Sequence, residues 1–266
     1  MTAGRSDTPT AAPAAGRQLA HMTLPEGRSL GDRPVILPVG STEQHGPILP
    51  YGTDTIIATG VATRVGAAIG ATVLPPIAYG YRSRTSSGGG PLFPGTIDLS
   101  GRTLTLLVHD VVAEVLRDGV TDVLVLSAHF ENDAFIQEAL ELVGQTLEPG
   151  SPVRLIATNW WDPIPPEVIA SVFTDLEFPG WDLEHAGVTE TSLLLALAPE
   201  LVDLDHVAAT DVEADPLHYF RVPVQADDAP EQGNLSSARG SSAEIGEVLL
   251  DAAAAGIERI CRTEMG

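Results

Sequence analysis

The chain has 266 residues, 44% of them hydrophobic, and a formal net charge of −22. That content can build a packed globular core, and the length is near the upper limit for one core, so a single domain is expected. The charge argues against nucleic-acid or anionic-membrane binding, since the attraction to phosphate that dominates such binding becomes repulsion. Every basic side chain is an arginine, which removes lysine Schiff-base chemistry and a P-loop lysine.

Residues 1–30 read as a disordered tail ahead of a domain over 31–266. Residues 2–18 are rich in Ala, Pro, Thr and Gly, with neither periodicity nor the apolar core of an export signal. No apolar run approaches the roughly 20 residues needed to cross a bilayer, so a soluble cytoplasmic protein is expected. The lone Cys261 fits that compartment, because one thiol forms no internal disulfide. Residues 34–39 form an apolar run typical of a buried strand, and 55–69 follow as a helix with Ile56, Val61 and Val65 near one face. A strand is expected over 72–77. Residues 79–94 hold Ser86, Ser87 and three consecutive glycines without any period, which predicts a long loop of the kind that lines a site. Leu104, Val108, Val111 and Val115 mark a helix over 101–118. The almost wholly apolar 122–127 then reads as a strand covered on both faces, as in a parallel sheet. Ile136, Leu140, Val143 and Leu147 place a helix over 132–147, and 153–157 is a further strand. Helices are expected over 189–198 and 243–263, and 211–240 is an irregular acidic excursion. The order of elements is that of an α/β fold with one parallel sheet.

Two clusters of ligand-type side chains follow strand-like runs. Glu43, His45 and Asp54 come after the first, and His129 and Glu131 come directly after 122–127. In open α/β sheets ligands bind at the carboxyl ends of the strands, where both clusters fall. A lone histidine in such a loop is usually a structural hydrogen-bonder. Two clusters at two strand ends instead suggest a metal site, and five hard or borderline donors suit two Zn2+ or Mn2+ ions better than one. Asp54 is the expected bridge, with Glu43 and His129 completing one ion and His45 and Glu131 the other. A carboxylate bridging two cations brings them to about 3.5–4 Å, and water between them ionises near neutral pH. His185 and Glu190 straddle a helix start, where they would carry a proton to a leaving nitrogen; the alternative is a helix cap in which Thr189 or Glu190 satisfies backbone amides. Trp161 and Trp181 would either stack on a flat substrate or pack as core.

Taken in order, these segments resemble the creatininase (creatinine amidohydrolase) family. The matching residues run from Leu37 through Glu43, His45, Gly46 and Asp54, then Tyr79 to Tyr81, Ser87 to Gly90, His129 to Asn132, Trp161 and Asp162, and Gly180 through His185 to Ser192. The resemblance implies a three-layer α/β/α sandwich around a mainly parallel sheet, a binuclear Zn/Mn centre, hydrolysis of a non-peptide C–N bond in a small molecule, and assembly as a homohexamer. By motif, Glu43, His45, Asp54, His129 and Glu131 fall on the family's metal ligands and His185 and Glu190 on its catalytic pair. Ser87, Trp161, Trp181 and Asp182 fall on positions lining the substrate pocket. Three departures stand out: Ile48 replaces a histidine common in the family, Ala128 replaces the glycine before the metal histidine, and Phe130 replaces a tyrosine. Loss of that hydroxyl beside the substrate changes which molecule is held more readily than how the bond is broken.

Overall fold

The structure is a computed structural model that describes residues 17–265 except 89, 175, 213, 216 and 218. Its sheet contains β1 (Arg17–Gln18), β2 (Val35–Val39), β3 (Thr72–Val73), β4 (Asp122–Ser127) and β5 (Arg154–Asn159). They lie in the order β1-β3-β2-β4-β5, and every neighbouring pair is parallel. Parallel neighbours cannot be joined by a tight turn, so the crossovers between them carry helices. After α1 (Leu24–Gly27), α2 (Thr53–Ile69) links β2 to β3, α3 (Gly101–Arg117) links β3 to β4, and α4 (Asp133–Gly144) links β4 to β5. Beyond the sheet come α5 (Pro166–Val172), α6 (Val188–Leu197) and α7 (Ala243–Glu264).

Side-chain alternation along each strand divides the core in two. Ile36, Leu124 and Leu126 pack with Ile57, Val61 and Val65 of α2, Leu193 and Leu194 of α6, and Leu249, Leu250 and Ile257 of α7. On the opposite face Val35, Leu37, Val39, Val123 and Val125 meet Leu104, Val108 and Val112 of α3 and Ile136, Leu140 and Val143 of α4. The result is the expected α/β/α sandwich, and it explains why β2 and β4 read as unbroken apolar runs: both of their faces are dry.

Local signals set the helix ends. Gly70 closes α2 in the left-handed conformation with φ 72°, its N–H donating to the Gly66 carbonyl. Ser100 and Ser242 cap α3 and α7 by accepting from the amides of Thr103 and Ile245.

The expected tail over 1–30 does not hold from Arg17 onward. Arg17 and Gln18 pair with Thr72 and Val73 as an added edge strand, and Gln18 Nε2 donates to Thr63 Oγ1 at 2.9 Å. Thr23 and Glu26 then form a capping box on α1. Backbone and polar side-chain bonds hold this segment together with the widely spaced Leu19 and Leu30, which pack on the core, so it carries no apolar period for the sequence to show. Residues 1–16 lie outside the described part. The strand expected over 72–77 shortens to two residues, because Pro75 and Pro76 supply no ladder donors; Ile77 regains one bridge to Val39. The described residues of 211–240 contain no helix or strand, as expected, and among the described residues no helix is long and apolar enough to cross a membrane.

On the face that carries α2, the helices α6 and α7 pack at backbone distance. A Cβ on Gly246 of α7 would lie 2.0 Å from the Ser192 carbonyl oxygen of α6. Gly246→Ala therefore forces the two helices apart, and a loss of about 1–3 kcal/mol is expected by the cost of overpacking. The check is a lowered urea midpoint with unchanged far-UV circular dichroism.

Candidate metal and catalytic site

The site is built where β2 and β4 end side by side, with Val39 opposite Ser127. After β2 the chain makes a loop and returns at once, since a Cβ on Gly40 would lie 2.5 Å from the Thr55 amide nitrogen at the start of α2. Only glycine allows that contact. Glu43 N donates to the Tyr51 carbonyl at 3.1 Å and ties the loop together. Asp54 occupies the first turn of α2, where the helix dipole favours negative charge. After β4, residues Phe130–Asn132 form a single 3-10 turn ahead of α4. Asn132 locks that turn by accepting from Tyr81 N at 2.8 Å and donating to the Gly40 carbonyl at 3.1 Å.

Glu43, His45, Asp54, His129, Glu131, His185 and Glu190 are all buried, and they converge. Ligand atoms lie within 4.8 Å of one another in three groups: Glu43, Asp54 and His129; His45, Asp54 and Glu190; and Glu43, His45 and His185. Asp54 is the link between the first two. His129 Nδ1 is 3.0 Å from Glu43 Oε1 and 3.3 Å from Asp54 Oδ2. His45 Nε2 is 3.0 Å from Asp54 Oδ1 and 3.7 Å from Glu190 Oε2. Beside the shared Asp54, the carboxylates grouped with His45 are Glu190 and Glu43, and the expected Glu131 is in neither group. Glu131 sits beyond His129, its Oε2 3.3 Å from His129 Nε2, and its Oε1 accepts from the Ser87 hydroxyl and the Arg84 amide.

His45 and His129 share one arrangement. His45 Nδ1 faces the Glu43 carbonyl at 3.1 Å, and His129 Nε2 faces the Tyr81 carbonyl at 2.9 Å. A carbonyl only accepts, so the nitrogen facing it carries the proton and the second nitrogen is turned toward the carboxylates. Histidines that bind metal are oriented in this way. Three carboxylate oxygens, Glu43 Oε2, Asp54 Oδ2 and Glu131 Oε2, are buried with no hydrogen-bond partner. Buried anionic oxygens cost several kcal/mol each unless a cation or proton meets them. The chemistry of the donor set and its orphaned oxygens fit divalent metal.

Electrostatics follow from this crowding. Burial alone would lower the His45 pKa, but Asp54, Glu190 and Glu43 together outweigh it and raise it to about 10. His129 is likewise raised, its desolvation overcome by Glu43 and Glu131. For Asp54 the opposite holds: burial pushes up, and the neighbouring imidazoles win and lower it. Desolvation raises Glu190 to about 8 and lowers His185 to about 4, the latter helped by His45.

The remaining expected residues line the approach. Trp161 stacks between Phe130, at 6.2 Å and 18°, and Trp181, at 6.1 Å and 26°. Trp160 meets both tryptophans edge-on and is itself core. An inner chamber of about 20 Å³ is lined by Glu43, Asp54, His129, His185 and the tryptophans, which is room for about one water molecule. Ser87, Phe130 and Glu131 also border an outer cavity of about 640 Å³, where Asp182 lies exposed. The helix-cap role weighed for Glu190 belongs mostly to Glu184, whose oxygens accept from Thr189 N at 2.6 Å and the Ser236 hydroxyl at 2.9 Å. Glu190 Oε2 accepts from Ala186 N at 2.7 Å, across a residue held at φ 56°, a conformation that costs roughly 1–3 kcal/mol in a non-glycine residue. Sequence reasoning gave no role to Asn132 or Gln44, both buried here; their place within the two ligand loops was the available signal.

Residues 20–261 match the family model for Creatininase, described as creatinine amidohydrolase. Creatinine amidohydrolase of Pseudomonas putida is 40% identical over 88% of this chain and 90% of its own. Two solved structures superpose at TM-score 0.86. One, described as a manganese creatininase, is 37% identical over 94% of this chain and 98% of its own. The other, a Zn-Zn type creatininase mutant, is 38% identical over 93% and 97%. With such coverage and the sandwich fold in common, the chain belongs to the creatininase family and is an amidohydrolase, a hydrolase of non-peptide C–N bonds.

Proposed function

We propose that this chain is a binuclear metal-dependent amidohydrolase that opens a small cyclic amide or amidine of the creatinine type. The observation that carries the reading is the paired orientation of His45 and His129, each with one nitrogen anchored on a backbone carbonyl and the other turned to carboxylates with unpartnered oxygens. Glu43, Asp54 and His129 would hold one ion, and His45 and Asp54 the second, with Asp54 common to both. Glu131 would be the fifth ligand, because its Oε2 has no partner, whereas Glu190 Oε2 is occupied by the Ala186 amide. Zinc and manganese are the ions named for the similar creatininases, and both suit this mixed imidazole and carboxylate set. Divalent ions supply Lewis-acid polarisation of the amide oxygen and acidify water at neutral pH.

The chain's own residues would do the rest. His185 accepts a proton and passes it to the departing ring nitrogen, while Glu190, whose carboxyl burial pushes up to about 8, serves the same transfer. Phe130, Trp161 and Trp181 form a flat wall that orients a planar ring. Ser87 holds Glu131 in place, and the exposed Asp182 carboxylate would receive a cationic nitrogen at the rim. The ring-opening direction and the creatinine-like substrate are supported by the Pseudomonas relative's name and by the aromatic wall. A homo-oligomer, hexameric by family resemblance, would cover the exposed Leu106, Leu107 and Phe220.

Three outcomes test this. Purified protein should carry about two Zn or Mn ions per chain and open at least one member of a panel of creatinine, hydantoins, lactams and formamides; turnover that survives thorough chelation overturns the reading. His185→Ala should keep its metal and lose roughly 100- to 10,000-fold in kcat, the usual worth of proton transfer by a positioned group, and metal analysis alongside single-turnover kinetics separates the two. The third concerns protons. With His45 raised to about 10, the metal-free site stays protonated at pH 8, where an imidazole at the ordinary 6.5 is neutral. Metal uptake at pH 8 should thus release protons, and affinity should fall as pH drops. Calorimetry in buffers of different ionisation enthalpy reads that release directly.

A further inference from the structure

We propose that Gln44 is a positioning residue that holds His185 as the Nε2–H tautomer, with its bare Nδ1 turned toward the carboxylate cluster. The inference deepens the reading above, in which His185 moves the proton.

Gln44 lies between the two expected metal ligands of its loop, and its side chain is buried. The amide nitrogen has three neighbours: the Gly88 carbonyl at 2.7 Å, the Gly233 carbonyl at 2.9 Å and His185 Nε2 at 3.1 Å. It owns two protons, and the two carbonyls, which can only accept, take both. The opposite amide orientation is excluded, because Gln44 Oε1 accepts from the Gly46 N–H at 2.8 Å. A flipped amide would set a donor against that donor and an oxygen against two carbonyls.

His185 therefore receives nothing from the amide. Its Nε2 lies 2.9 Å from the Gln44 backbone carbonyl, so Nε2 carries the hydrogen and donates it there. Nδ1 is left with its lone pair, 3.9 Å from Glu43 Oε1 on the cluster side. The main-chain carbonyl of Gln44 thus fixes the ring, and its side chain, tied to Gly46, Gly88 and Gly233, fixes the place of that carbonyl. The imidazole is poised to take a proton at Nδ1 before it delivers one.

The surroundings are shaped for this arrangement. A Cβ on Gly233 would lie 2.0 Å from Gln44 Oε1, and the residue sits at φ +85°. A Cβ on Gly88 would lie 3.3 Å from His185 Cε1 and 3.0 Å from Glu43 Oε2. Both loops reach the amide only as glycine. Leu235 N also donates to the His185 carbonyl at 3.1 Å, which pins that loop to the backbone of the residue being held.

The test is the tautomer itself, read on metal-loaded protein with 15N-labelled histidine by nitrogen-detected correlation spectroscopy, with the His185 signal assigned by its loss in His185→Ala. The expected wild-type pattern has hydrogen on Nε2 and a bare Nδ1. Gln44→Met, of similar length and without hydrogen bonds, should retain its metal and mix the two tautomers. Its kcat should fall by roughly 10- to 100-fold, as for other outer supports of functional side chains, with KM changed less than threefold. Gln44→Asn, whose amide is one methylene short, should show the same mixture if Gln44→Met fails to fold. Hydrogen on Nδ1 in the wild type, or an unchanged pattern in the folded variants, overturns the proposal. A wild type with the stated tautomer but no hydrolysis of any panel compound would leave the clamp standing and remove the assigned reaction instead.

Discussion

Four buried carboxylates, Glu43, Asp54, Glu131 and Glu190, are packed around three buried imidazoles, and this crowding is the constraint that the rest of the molecule serves. Like charges at such distances in a dry interior repel strongly, and each ionised group also loses its hydration. Protons on the histidines offset part of that cost, as the upward shifts of His45 and His129 record. They do not reach the orphaned oxygens of Glu43, Asp54 and Glu131. Divalent cations would satisfy both demands together, neutralising the carboxylates while leaving the imidazoles uncharged. A cluster this unfavourable on its own needs a scaffold stable enough to hold it, and the doubly covered sheet supplies one.

That scaffold acts through close backbone approaches. β2 and β4 are neighbours, so their carboxyl ends deliver two ligand loops side by side. Gly40 lets α2 begin against the end of β2, which brings Asp54 back over Glu43 and His45. Asn132 joins the β4 turn to both Gly40 and Tyr81. The Tyr81 carbonyl in turn orients His129. Each candidate ligand is therefore held by an element whose position the sheet has already set, so little reorganisation is left for the site itself.

Much of this was legible in the sequence, and the physical reasons for the exceptions are specific. β2, β4 and the helices α2, α3, α4, α6 and α7 were readable because burial on both faces of a sheet, or on one stripe of a helix, leaves a periodic apolar record. β1, α1 and α5 leave none: they span two, four and seven residues and are too short to show a stripe. The loop positions of Glu43, His45, Asp54, His129 and Glu131 followed from strand ends. The approach of Glu190 to within 3.7 Å of His45 did not follow, because it arrives on α6, some 145 residues further along, through packing that no local pattern encodes. Gln44 was passed over for a similar reason. A polar side chain in a loop is ordinary until Gly88 and Gly233 are seen to close on it from distant segments.

On the proposed function, the site also separates bond-breaking from recognition. The polar chamber is scarcely larger than a water molecule, and much of its lining comes from strand ends and helix starts. Asp182 instead faces the wider cavity, on a loop outside the sheet, and Phe130 borders both spaces from its turn. Phe130 is 44% exposed, so its replacement by another aromatic residue alters the cavity without disturbing the core. Its immediate neighbours, His129 and Glu131, are buried and tied to Tyr81, Ser87 and Arg84. Along one short turn, then, alternate side chains answer to different constraints: two are fixed by the demands of charge, and the one between them is free to vary with the molecule to be bound.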